Sequence, residues 1–177
     1  MPQRWGGRKL AGEFRSPETA ITAPRPRLAV LIDGDSIPVR AAAEAFPAAV
    51  RLGRVTLCHV YGSLTPMARA LWRNAAAEVP GLPAPRLVHR TGPNAADFKL
   101  SIDAAALAPA DFEGVCLMSC DGDMVHAVQH LRERGLTVHV FGQAQTARAL
   151  QRMASRFHLI EFPTRTTRPA AESGTRA

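Results

Sequence analysis

Short continuous apolar runs alternate along this chain with stretches in which apolar residues recur every third or fourth position. Leu28-Ala-Val-Leu-Ile32 stops at Asp33 and has the pattern of a strand buried on both faces. The alanine-rich stretch from Pro38 to Val50 predicts a helix, with Pro38 near its start, where a missing N–H is harmless, and Pro47 as a kink or end. Arg54 to Tyr61 reads as a second strand closed by Gly62. Thr65 to Val79 predicts a helix capped by Thr65, with Met67, Leu71 and Ala75 on a shared face. Pro80 to Pro85 breaks that helix, and Arg86 to His89 is a short third strand. Asn94 to Ala108 predicts a helix, with Phe98, Ile102 and Ala105 at helical spacing. Gly114 to Ser119, Leu136 to Phe141 and Phe157 to Phe162 read as strands. Between them, Met124 to Arg134 and Ala144 to Ser155 read as helices. Repeated strand–helix alternation implies a Rossmann-like three-layer α/β sandwich around a mostly parallel central sheet.

Composition narrows this to one domain. The chain has 177 residues, 46% of them apolar, enough for a core without staples. Cys58, Cys116 and Cys120 form no C-x-x-C pair, so they read as core residues in a reducing compartment rather than a zinc site or disulfide framework. The longest apolar run is far short of the roughly 20 residues that span a membrane. The first residues carry Glu13 and Glu18 and no apolar signal core, so a cytoplasmic location is expected.

The formal charge is +7 and sits mainly at the ends. Residues 1–27 carry Arg4, Arg8, Lys9, Arg15, Arg25 and Arg27 against two glutamates; residues 163–177 carry Arg165, Arg168 and Arg176 against Glu172. Both segments lack hydrophobic periodicity and read as disordered basic tails around an ordered domain, 28–162. Such tails can hold a polyanion, and solvated ends of an arginine-rich chain account for them equally well.

The aspartates are placed less evenly. Asp33 and Asp35 follow the first strand, Asp121 and Asp123 follow the strand ending at Ser119, and Asp97 opens the helix after the third. A doubly wound sheet binds its ligands beyond the carboxyl ends of its strands, so these side chains are expected to meet. Crowded carboxylates repel unless some stay protonated or a cation joins them. Oxygen donors favour Mg²⁺ or Mn²⁺, which also bind phosphates. Taken singly, Asp35, Asp111 and Asp103 are better read as caps or turn residues.

Three segments make the chain recognisable. LAVLIDGDSIP, NAADFKLSIDA and VCLMSCDGDMVHAVQHLRERGLTVHVFG together resemble the NYN domain family, relatives of the PIN-like ribonucleases. The resemblance implies a PIN-like fold and Mg²⁺- or Mn²⁺-dependent cleavage of RNA by Asp33, Asp97, Asp121 and Asp123. Ser36 stands where many relatives have Asn, and Met124 where an aromatic is common. Ser36, Ser119, Arg90 and Lys99 flank the acidic motifs and are the candidate substrate contacts.

Other features weigh less. His126 and His130, four apart on a helix, suit zinc but lack an adjacent Glu. Arg69 and Arg73 could touch phosphates, and Tyr61 and Trp72 could stack on bases, though core packing suits both aromatics better. No glycine-rich turn matches a P-loop or dinucleotide fingerprint, so no nucleotide cofactor is expected. Two other functions remain open: a phosphatase of the haloacid-dehalogenase type built on Asp33 and Asp35, and an RNA-binding module without turnover.

Overall fold

The computed structural model describes residues 24–161. Its elements run β1 (Arg27–Asp33), α1 (Val39–Leu52), β2 (Arg54–Gly62), α2 (Pro66–Ala77), β3 (Arg86–His89), α3 (Ala95–Ala105) and β4 (Gly114–Met118). A 3-10 turn (Gly122–Met124) then leads into α4 (Val125–Glu133), followed by β5 (Thr137–Gly142), α5 (Arg148–Met153) and β6 (Arg156–Leu159). All six strands are parallel, in the order β3-β2-β1-β4-β5-β6. The order reverses between β1 and β4, which is where such sheets open a crevice.

Strand alternation divides the core. Leu28, Val30 and Ile32 of β1 pack with Ala41, Phe46 and Ala49 of α1 and Trp72 and Ala76 of α2. Ala29 and Leu31 point the other way, into Leu100 of α3, Val128 and Leu131 of α4 and Leu150 of α5. Each large aliphatic or aromatic side chain removed from water here stabilises the fold by about 1.5–3 kcal/mol. The result is the three-layer α/β sandwich that the pattern predicts, with the sheet wholly rather than mostly parallel.

Local signals fix most boundaries. Thr65 Oγ1 accepts the Ala68 N–H at 3.2 Å and caps α2, with Pro66 at its first turn. Pro47 does not end α1, which runs on to Leu52. The proline lies on the exposed face, where water can serve the carbonyl that loses its partner. α5 is shorter than its sequence suggests because Gln143 to Thr146 forms a turn instead. There the Thr146 N–H donates to the Gln143 carbonyl, and its hydroxyl donates to Cys120 Sγ. β6 begins at Arg156, one residue earlier than expected.

Two helices bury a different face from the one their spacing suggests. In α3 the buried stripe is Ala96, Leu100 and Ala104, whereas Phe98 is 69% exposed and Ile102 61%. In α2 the buried residues are Trp72 and Ala76, while Met67 and Leu71 face solvent. In α3, which packs on β1 and β2, the small Ala96 and Ala104 allow a close approach where a phenylalanine would hold it off, whereas α2 packs on α1 through Trp72.

Arg25 and Arg27, counted with the basic tail, belong to the fold. Arg25 Nη2 donates to the Gly53 carbonyl at 2.9 Å, and Arg27 opens β1 and pairs with Glu113 at 3.2 Å. The rest of both predicted tails lies outside the described residues, apart from Pro24 and Pro26. Cys58 and Cys116 are buried and unbridged, and burial pushes both thiols up to about 12. Among the described residues no helix is long and apolar enough to cross a membrane.

Candidate active site

The site begins where β1 runs out. The Gly34 N–H donates to the Tyr61 carbonyl at 2.7 Å, so the turn after Asp33 lies tight against β2. A Cβ at Gly34 would lie 3.0 Å from that carbonyl oxygen and 3.1 Å from Val60 Cγ1, so a larger residue would crowd the turn. The turn leaves Asp33 only 2% exposed, with hydrogen bonds at both carboxylate oxygens. Its Oδ1 accepts the Asp35 and Ser36 N–H groups, each at 3.2 Å, and its Oδ2 accepts the Ser119 hydroxyl at 2.8 Å.

Ser119 follows β4, across the switch point. Its Oγ also accepts the Asp121 N–H at 3.1 Å. Ser36 Oγ accepts the Cys120 N–H at 3.2 Å and lies 3.4 Å from Ser119 Oγ. The two serines therefore stitch the loop after β1 to the loop after β4. Asp121 caps the 3-10 turn by accepting the Asp123 N–H at 2.9 Å.

Asp97 enters from the first turn of α3. Burial raises its carboxyl above the ordinary range, and the negative charges of Asp33, Asp121, Asp35 and Asp123 raise it further. Carboxylates from the two other acidic segments of sequence are therefore near enough to act electrostatically on Asp97. Asp97 and Asp123 also line one cleft of about 250 Å³ with Asn94, Phe98, Ser101, Met124 and His126.

The donor set suits a hard divalent cation, being carboxylate oxygens that repel one another in its absence. Among the described residues, no group of three or more His, Cys, Asp or Glu side chains is placed so that it could hold a metal ion. Mg²⁺ does not require such a group, since it is ordinarily held by one or two carboxylates plus water and substrate phosphate oxygens.

Several candidate contacts take other roles. Ser119 is fully buried, so it cannot touch a substrate and instead positions Asp33 and Asp121. Lys99 forms an ion pair with Asp103, which also accepts the Tyr61 hydroxyl at 2.9 Å. Burial pulls Asp103 upward, but these two hydrogen bonds and the charges of Lys99 and His59 prevail and hold it below the usual carboxylate range. Tyr61 and Trp72 are buried and unavailable for stacking. Asp35 locks the turn, accepting the Ser63 N–H at 2.9 Å. Arg69 Nε donates to the Leu64 carbonyl. Arg90 stays exposed beyond β3, with Nη1 donating to the His89 carbonyl. His126 faces the cleft beside Asp123, and no zinc grouping with His130 forms. Asn94 and Phe98 escaped sequence reasoning as site residues, although both belong to the second acidic motif.

Among solved structures, the fold is similar to a protein of unknown function from Vibrio parahaemolyticus, with a TM-score of 0.63 at 17% identity. The match covers 79% of this chain and 96% of that one, and at such identity it speaks for the fold alone. No curated protein matches the chain. The NYN domain matches residues 27–161, from the first residue of β1 to just past β6, and takes in all three acidic segments. With that match spanning the whole sheet, the chain belongs to the NYN domain family, whose fold is that of the PIN-like nucleases.

Proposed function

We propose that this NYN domain is an endoribonuclease that hydrolyses RNA phosphodiester bonds with Mg²⁺ or Mn²⁺. Asp33, Asp97, Asp121 and Asp123 are its metal-holding and catalytic carboxylates. The observation that supports the reading is that Asp33, Asp121, Asp35 and Asp123, from the ends of the two strands at the β1/β4 switch point, all raise Asp97 by their charge. The family and the +7 charge support RNA as the partner. Unbridged Cys58, Cys116 and Cys120 suit the reducing cytoplasm.

The chain's own residues divide the work by rigidity. Asp33 is fixed by three hydrogen bonds and offers its remaining lone pairs in one orientation. Asp97 and Asp121 are half-buried and Asp123 is exposed, so these three face the solvent side from which a phosphate arrives. Ser36 and Ser119 hold the two loops in register, so a small shift in either would spoil the alignment that hydrolysis needs. Arg90, exposed at the same edge of the sheet, supplies a phosphate contact. A divalent ion bound here lowers the pKa of attacking water and offsets charge growing on the phosphoryl oxygens.

The phosphatase reading fits less well. Its nucleophile would be Asp33, which is buried and has both oxygens hydrogen-bonded, and its acid would be Asp35, which is engaged by Ser63. The test is to incubate end-labelled RNA with pure protein in Mg²⁺, in Mn²⁺ and in EDTA, beside Asp121→Asn. Internal cleavage with either metal, lost in EDTA and in the variant, supports the proposal. Binding without cleavage under every condition would favour the non-catalytic module, and an acyl-phosphate trapped on Asp33 would favour the phosphatase.

A further inference from the structure

Phe98 is the least expected side chain near the acidic centre. Helix α3 already buries Ala96, Leu100 and Ala104 against the sheet, so Phe98 has no place in the core and stands 69% exposed. Single exposed apolar residues are ordinary. This one, however, forms a wall of the cleft that also holds Asp97 and Asp123. Met124 also lines it but is only 1% exposed, so Phe98 is its apolar face, and Asn94, Ser101 and His126 supply hydrogen-bonding groups around it. Asn94 adopts a left-handed backbone conformation (φ 55°), and its side chain does not cap α3, so its amide is not engaged there.

We propose that the cleft between α3 and the start of α4 seats one unpaired base of the RNA substrate. The base stacks on Phe98, and its edge is read by Asn94, Ser101 and His126. The inference rests on the ribonuclease reading above and extends it to substrate class, namely single-stranded segments. Three observations carry it. The cleft is continuous with the carboxylates, so a base held there lies next to a phosphate over the acidic centre. Its volume of about 250 Å³ is smaller than the roughly 300–1,000 Å³ of drug-sized ligand sites and suits one flat ring system. Its walls combine an aromatic face with amide, hydroxyl and imidazole groups, the chemistry by which unstacked bases are recognised. A paired base is stacked within its helix and cannot enter, so duplex RNA should bind only through its phosphates.

The experiment measures binding of labelled single-stranded and blunt duplex RNA by anisotropy in EDTA, and cleavage of the same RNAs in Mn²⁺. Phe98→Ala is compared with Phe98→Leu, Phe98→Tyr and Met67→Ala, the last an exposed apolar residue on the opposite layer. Stacking losses on alanine substitution correspond to a roughly 5- to 150-fold weakening. Phe98→Ala and Phe98→Leu should show it for single strands only, with Phe98→Tyr and Met67→Ala near wild type. Phe98→Leu keeps apolar bulk, so its melting temperature guards against a loss caused by misfolding. If wild-type protein neither binds nor cleaves RNA, the ribonuclease reading fails and this inference goes with it. If wild-type protein cleaves and the Phe98 variants match it on single strands, this inference alone is overturned. A change of oligomeric state in Phe98→Ala with unchanged RNA affinity would also overturn it, marking a protein-docking surface instead.

Discussion

Ser119 Oγ donates to Asp33 Oδ2 at 2.8 Å, joining the end of β4 to the end of β1 across the sheet's switch point. The same oxygen accepts the Asp121 N–H, so one buried hydroxyl aligns two of the acidic residues. Ser119→Ala should leave a buried carboxylate oxygen short of a partner. A loss of about 1–3 kcal/mol is expected in urea unfolding, with a fall in kcat and little change in KM.

Asp33 and Asp97 should respond differently to neutralisation. Asp97 is raised by burial and by neighbouring charge, so Asp97→Asn is expected to leave the metal-free protein as stable as wild type or slightly more so. Asp33→Asn disturbs three hydrogen bonds in a buried site and should cost about 1–2 kcal/mol. Both should abolish cleavage. Thermal melts in EDTA separate the two, and a destabilised Asp97→Asn would contradict the charge-crowding argument.

Lys99 should contribute to the fold rather than to RNA. Its partly exposed i,i+4 pair with Asp103 is worth about 0.5 kcal/mol, so Lys99→Met should lose no more than that. RNA affinity and its salt slope should stay at wild type, whereas Arg90→Ala should weaken binding and flatten the slope by about one unit.

What the sequence made legible follows from which physics is local. Strand positions were clear because a doubly buried strand such as Leu28–Ile32 needs an unbroken apolar run, and Thr65-Pro66 marks a helix start by hydrogen bonding alone. The buried face of α3 was not clear, since Phe98/Ile102 and Ala96/Leu100/Ala104 are both valid helical stripes. The choice depends on how closely the helix approaches the sheet. The acidic motifs announced a site, but Ser119 as a positioning residue depends on a partner 86 positions away. The pairing of Lys99 with Asp103 was visible as i,i+4 spacing, although proximity to Asp97 in sequence drew attention to a substrate role instead.

His139 and His158 predict how stability depends on pH. Their rings are hydrogen-bonded at 3.0 Å, and His158 stacks on Phe141. Burial lowers both below the ordinary histidine value; the charge of Arg156 adds to this for both, and that of His158 adds for His139. Glu44 and Glu161 line the cavity beside His158. Since the folded values lie below the unfolded one, their contribution is complete above about pH 6.5 and is lost as pH falls through the folded values. Melting temperature should decline from pH 7 to pH 5, and less steeply in His139→Gln. Parallel curves would exclude the pair as the cause.

The central claim is that the switch-point carboxylates hold a divalent ion and that RNA cleavage depends on it. Mn²⁺ binding followed by electron paramagnetic resonance, with cleavage rates read on the same samples, tests this most directly. Wild-type protein is expected to bind Mn²⁺ and to gain activity in step with occupancy, while Asp97→Asn and Asp121→Asn lose at least tenfold in affinity and lose cleavage with it. Cleavage that persists in EDTA, or Mn²⁺ affinity that both variants leave unchanged, would contradict the account.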